Sequence, residues 1–141
     1  MIVEFLAAVR AKIGAAPGVV ALAPSGLSKP DPWGSVNVLP VLELTGEARE
    51  REGGEIWDLD VVVAAERETE AAACALYTAI HDFLRSAQLT GGLDYTNRRV
   101  CAAMPKTEFA GQPKHNSTYT RDAGRVGGLW RFVVVNDLTR P

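Results

Sequence analysis

The stretch that most constrains this chain is 55–88, EIWDLDVVVAAERETEAAACALYTAIHDFLRSAQ, where a period of two gives way to a helical period within a few residues. Trp57, Leu59, Val61, Val63 and Ala65 alternate with Ile56, Asp58, Asp60, Val62 and Ala64, the pattern of a half-buried strand whose wetter side carries Asp58 and Asp60. From about Thr69 the apolar residues Ala73, Leu76, Tyr77, Ile80, Phe83, Leu84 and Ala87 share one helical stripe. Glu68 and Glu70 stand at its start, where the helix dipole favours negative charge. The Trp57 to Ala65 face and the stripe through Ile80 and Leu84 are therefore expected to build the core together.

The flanking segments add elements to this unit. Ile2, Phe5, Leu6, Val9 and Ile13 lie on one face of an N-terminal helix that ends at Gly14, a natural cap. Residues 19–23 suit a short strand. Residues 24–37, with three prolines, two glycines and three serines, read as a long loop. Strand character returns over 38–45, where Pro40 cannot donate to a ladder and points to a strand start or an edge. The charged stretch TGEAREREGGE then connects to the next strand as an antiparallel hairpin. Gly91 and Gly92 turn the chain after the long helix, 99–104 is a further strand, 105–128 a second long irregular segment, and 129–135 a closing strand with Trp130, Phe132 and Val134 on one face. This order predicts one α+β domain over 1–141: a mainly antiparallel four- to five-stranded sheet with two main helices packed on one face.

At 141 residues the chain can bury roughly 65–70% of the surface its unfolded form exposes, so neither a metal nor a disulfide is needed as a staple. No apolar run approaches the roughly 20 residues that span a bilayer, and the N-terminus carries Glu4 within an amphipathic pattern and no basic leader. Synthesis in the cytosol is the expectation, and Asn116-Ser117-Thr118 is then a chance sequon. Cys74 and Cys101, with no C-x-x-C between them, are expected to be buried structural thiols. The net charge of −2 hides an asymmetry. Residues 43–70 hold ten acids against three bases, and 98–140 hold eight bases against three acids. A chain split in this way can carry two surfaces that attract each other, or merely scattered solvated charges.

Catalytic signatures do not emerge. None of Ser25, Ser28, Ser35, Ser86 or Ser117 sits in a G-x-S-x-G, and the glycine pairs have neither dinucleotide-loop nor phosphate-loop spacing. His81 adjoins Asp82 in the long helix, but neighbouring helical residues point in different directions and form no dyad by themselves. His115 has no partner at metal spacing, and no cofactor site is indicated. Asp58 and Asp60, about 7 Å apart along a strand, could serve a two-carboxylate or cation site, yet a solvated sheet face or the wall of an aqueous channel suits them better. The basic segment with Lys106, Lys114, Tyr119, Arg121 and Arg125 could touch nucleic acid phosphates but matches no nucleic-acid-binding pattern. A loop that orders on contact with another protein is the preferred expectation.

Taken together, the N-terminal amphipathic helix, the Pro-rich loop, PVLEL, the charged hairpin, WDLDVVVAAE running into ETEAAACALYTAIHDFL and the closing LWRFVVV resemble the tail-completion proteins of long-tailed bacteriophages, the tail terminator above all. That resemblance implies a non-enzymatic virion protein without a cofactor, made in the host cytoplasm and placed at the head-proximal end of the tail. Its partners would be further copies in a ring, a hexamer in that family's pattern, the tail tube protein, the head-tail connector, and DNA sliding through the lumen without sequence-specific binding. The candidates for partner or lumen contact are Asp58, Asp60, Arg49, Arg51, Lys106, Lys114, Tyr119, Arg121 and Arg125. A head-tail adaptor is the neighbouring alternative, and a small α+β enzyme using His81 or the Asp58/Asp60 pair the remote one.

Overall fold

The computed structural model describes residues 2–14, 41–51, 55–67, 69–111 and 124–136, the side chains of 41–45 excepted. Helix α1 (Ile2–Gly14) is followed by strands β1 (Val41–Arg51) and β2 (Ile56–Arg67), helix α2 (Glu70–Thr90), and strands β3 (Arg98–Gly111) and β4 (Gly124–Asn136). The strands form one sheet in the order β1-β2-β4-β3, with every neighbouring pair antiparallel. The protein is thus α+β, and among the described strands β2 and β4 are interior and β1 and β3 lie at the edges.

Local chemistry fixes the long helix at both ends. Thr69 is extended, with φ −137°, and its side-chain oxygen accepts the Ala72 N–H at 3.1 Å. Gly91 adopts the left-handed conformation, φ 77°, and the Gly92 N–H returns to the Ala87 carbonyl at 2.7 Å. Between these caps, Ala73, Leu76, Tyr77, Ile80 and Leu84 are buried.

They meet one face of the sheet. Leu59 stands opposite Phe132 and Val61 opposite Trp130 across β2 and β4, and all four are fully or almost fully buried. Phe5, Val9 and Ile13 of α1 enter the same core, Phe5 with its ring centroid 4.9 Å from that of Phe132. Both helices therefore cover the same side of the sheet. Each large apolar side chain buried there contributes about 1.5–3 kcal/mol, which makes this two-layer contact the main source of stability. Among the described residues no helix is long and apolar enough to cross a membrane.

Several expectations need correction. The charged stretch after Thr45 is strand: β1 continues to Arg51, pairing Glu47 with Asp60 and Arg49 with Asp58. An edge strand with one open face tolerates this density of charge because alternate side chains remain in water. The irregular segment expected over 105–128 is also largely strand, since β3 runs to Gly111 and β4 begins at Gly124. Pro105 sits at a register shift near the edge, where a missing donor is tolerated. The Gly127-Gly128 pair, which falls at the end of the segment expected to be irregular, serves close packing. A Cβ on Gly128 would lie 2.3 Å from the Thr107 carbonyl oxygen and 2.8 Å from the Tyr77 hydroxyl, and one on Gly127 would lie 2.7 Å from Ala64 Cα. Cys74 and Cys101, expected to be buried, are both exposed; Cys101 falls at the shift between Val100 and Ala102, where the strand has no Cα partner for it. The possible strand at 19–23 and the loop at 24–37 lie outside the described residues.

The glycine contacts yield a paired test by urea denaturation. Gly128→Ala is expected to lower stability by about 1–3 kcal/mol through overpacking, whereas Gly111→Ala, whose Cβ would meet nothing within 4 Å, should leave the midpoint nearly unchanged. Ile80→Asp, which places a carboxylate at a fully buried site, should abolish folding as judged by far-UV circular dichroism.

Candidate functional site

Because both helices pack on one side of the sheet, the other side is free of described helix and carries most of the polar residues singled out from sequence. On β2 these are Asp58, Asp60 and Glu66, and on β4 Arg125 and Arg131; Glu47, Arg49 and Arg51 line the β1 edge at the same parity. Val62, Leu129 and Val133 lie between them, half-buried. The face is neither the acidic wall nor the plain solvated surface that Asp58 and Asp60 suggested by themselves.

Its charges are paired across strands. Arg131 donates from Nε to Asp60 Oδ1 at 2.7 Å and from its terminal nitrogen to Oδ2 at 2.9 Å, a two-point contact between residues directly opposite in the ladder. That hydrogen bonding holds the Asp60 carboxyl below its ordinary range, partly opposed by burial and aided by the positive charges of Arg131, Lys106 and Arg49. Arg51 approaches Asp58 at 3.3 Å. Arg125 approaches Glu66 at 3.3 Å, with 11% and 1% of their side chains exposed, and its guanidinium lies 4.7 Å from the centroid of the Phe109 ring. A shallow cavity of about 440 Å³ opens beside the Asp60 pair, lined by Gly46, Glu47, Asp60, Val62 and Leu129.

The structure thus brings together Asp58, Asp60, Arg49, Arg51, Lys106 and Arg125 on or beside one sheet face. Lys114, Tyr119 and Arg121 lie outside the described residues. Sequence reasoning missed the partners that give this face its character, namely Arg131, Glu66 and Phe109. Alternation already placed Arg131 opposite the Trp130/Phe132 face, but the register that sets it against Asp60 could not be read from one strand. The opposite charge balances of the two segments, read from sequence as either two attracting surfaces or scattered solvated charges, meet in part within the chain, where Asp60 and Glu66 of β2 pair with Arg131 and Arg125 of β4.

A second concavity, of about 510 Å³, lies on the helix side between α2 and the far ends of β3 and β4. Tyr77, His81 and Asp82 line it from the helix, and Glu108, Phe109 and Val126 from the sheet. His81 Nδ1 is 3.3 Å from Asp82 Oδ1, so these neighbours do touch, although their helical directions diverge: the short carboxylate swings towards the ring. The imidazole also meets Trp130 edge-on, with ring centroids 5.2 Å apart. Below it, Trp130 Nε1 donates to the Tyr77 hydroxyl at 3.0 Å in a buried contact. No group of three or more metal-ligating side chains exists among the described residues.

The Asp60 pair sets a sign for pH dependence. A carboxyl held low in the folded state stabilises above its unfolded value, near pH 4, and that contribution disappears as pH falls through the lower folded value. The melting temperature of the wild type should therefore drop more steeply below about pH 5 than that of Asp60→Asn. Identical slopes for the two proteins would remove the pair from the stability of the sheet.

The fold is similar to that of a chain in the virion of a native gene transfer agent particle, with a TM-score of 0.64, 18% sequence identity, and 92% of each chain covered. At that identity the likeness is one of fold. No protein-family model matches the sequence, and no curated protein does.

Proposed function

We propose that this chain is a structural virion protein of the tail-terminator kind. It would form a ring on the head-proximal end of a phage-like tail tube, end tube polymerisation and present a surface to the head-tail connector. The observation that carries this proposal is the likeness of fold, end to end, to a chain of a gene transfer agent virion. The resemblance of the sequence to tail-completion proteins points the same way by a separate route. The role is assembly, with no catalytic step and no cofactor.

The open sheet face suits such a role. A ring of heterologous contacts needs one patch on each copy to meet a different patch on the next. A lumen wall through which DNA slides must avoid a strong net charge of either sign, since unpaired cations would hold the phosphates and unpaired carboxylates would repel them. The cross-strand pairs Asp60–Arg131, Asp58–Arg51 and Glu66–Arg125 supply a polar surface with its charges balanced locally. Asp58, Asp60, Arg49, Arg51, Lys106 and Arg125 are accordingly proposed as ring or lumen residues, with the virion as the location of the assembled protein.

Purified tail tubes incubated with the protein and imaged by negative-stain electron microscopy should carry a cap at one end and stop elongating when more tube protein is added. Attachment of the protein to connectors, with bare tubes still growing, would replace the terminator with a head-tail adaptor. Asp58→Lys and Asp60→Lys should keep the far-UV spectrum, because the partner side chains Arg51 and Arg131 are 51% and 29% exposed and can turn into water, yet reduce capping or DNA passage. Full activity in both variants would sink the lumen assignment.

A further inference from the structure

Strand β3 is treated in two ways along its length. Its first half is tied to α2 by side chains that reach its carbonyl groups: Gln88 Nε2 donates to Cys101 O and Arg85 donates to Ala103 O, both at 2.9 Å. Past the register shift between Pro105 and Thr107 the strand continues through 107–111, paired with β4 on one side only. Those five residues are exposed. Among the described residues no element runs along their other side, and within that set this stretch is a sheet edge whose backbone groups on that side can pair with an added strand.

The helix-side concavity opens beside this edge and has a definite chemistry. Two carboxylates, Asp82 and Glu108, stand at its walls, and no lysine or arginine lines it among the described residues. The Asp82 side chain is 74% exposed and lies 3.3 Å from His81, and neither it nor Glu108 pairs with an arginine or lysine among the described residues. Aromatic surface lies between them from Tyr77 and His81, whose ring centroids are 6.2 Å apart. Burial, followed by the negative charge of Glu108, pushes the Tyr77 phenol up, against the opposing effect of its bond to Trp130. A site with two carboxylates, no lysine or arginine in its described lining, and aromatic walls selects a cation whose stem is apolar.

We infer that the edge at 107–111 and the adjoining groove together bind an extended segment of a partner protein, which adds a strand to β3 and places one arginine or lysine side chain between Asp82 and Glu108. Main-chain pairing sets the register, and side-chain alternation in the added strand sends one residue over the groove and its neighbours to the other face of the sheet. This surface is separate from the open sheet face, and the inference does not depend on the terminator assignment.

The test uses the full-length 15N-labelled protein and a blocked hexapeptide of alternating threonine and valine with one central arginine, titrated by two-dimensional NMR. Three control peptides replace the arginine with citrulline, replace it with glutamate, or carry N-methyl groups on alternate amides. Shifts should concentrate at Tyr77, His81, Asp82 and 107–111. Citrulline or glutamate should weaken binding about tenfold or more, the loss of one charge-assisted contact, and N-methylation on the pairing side should abolish it. The double variant Asp82→Asn with Glu108→Gln, its fold verified by the dispersion of the same spectra, should lose the preference for arginine while keeping weak strand pairing. Shifts that map elsewhere, equal affinity for arginine and citrulline peptides, or no binding at millimolar peptide would each overturn the inference.

Discussion

The antiparallel pairing of β2 with β4 is the constraint on which the rest of this protein depends. A strand has a period of two, so one register must satisfy both faces of the sheet at once. On the helix side it sets Leu59 against Phe132 and Val61 against Trp130; on the open side it sets Asp60 against Arg131 and Glu66 against Arg125. A slip of one residue would push a carboxylate into the core and expose the aromatic rings. The ion pairs contribute modestly to net stability, but Glu66 is 1% exposed, and leaving such a charge without its partner costs about 3–5 kcal/mol. Their main effect is to penalise the wrong register.

Glycine lets the second layer seat on this sheet. At Gly128 the absent side chain admits the Tyr77 hydroxyl, which then accepts the buried Trp130 N–H. Trp130 could not otherwise be fully buried with its donor satisfied, and an unpaired indole N–H there would cost about 1–3 kcal/mol. Gly124 does the same at the helix start, where a Cβ would come within 2.4 Å of Glu70 Cα. The close approach of α2 to β4 is thus written in residues whose usual meaning is a turn.

Charge follows the same logic. Acid-rich β2 and basic β4 become neighbouring strands, and Asp60 and Glu66 meet Arg131 and Arg125 across their ladder. Beside the end of β3, Asp82 and Glu108 have no arginine or lysine partner among the described residues. A protein built this way offers a balanced polar face and a separate anionic groove at a sheet edge. These surfaces are carried on a fold similar to that of a chain in a gene transfer agent virion.

The sequence by itself determined the two helices, the hairpin, the closing strand and the split of each strand into an apolar and a polar face, because these follow from periodicity and caps carried by consecutive residues. It misjudged the far ends of the strands. Charged residues after Thr45, Pro105 and the Gly127-Gly128 pair all carry the local signature of a loop, and only pairing across the sheet turns them into strand. Strand order, the partners of Asp58 and Asp60, the exposure of Cys74 and Cys101, and the meeting of His81, Asp82 and Glu108 around one groove were decided by the tertiary structure alone. The physical reason is that each rests on contact between residues far apart in the chain, and the register that creates those contacts is a property of two strands together.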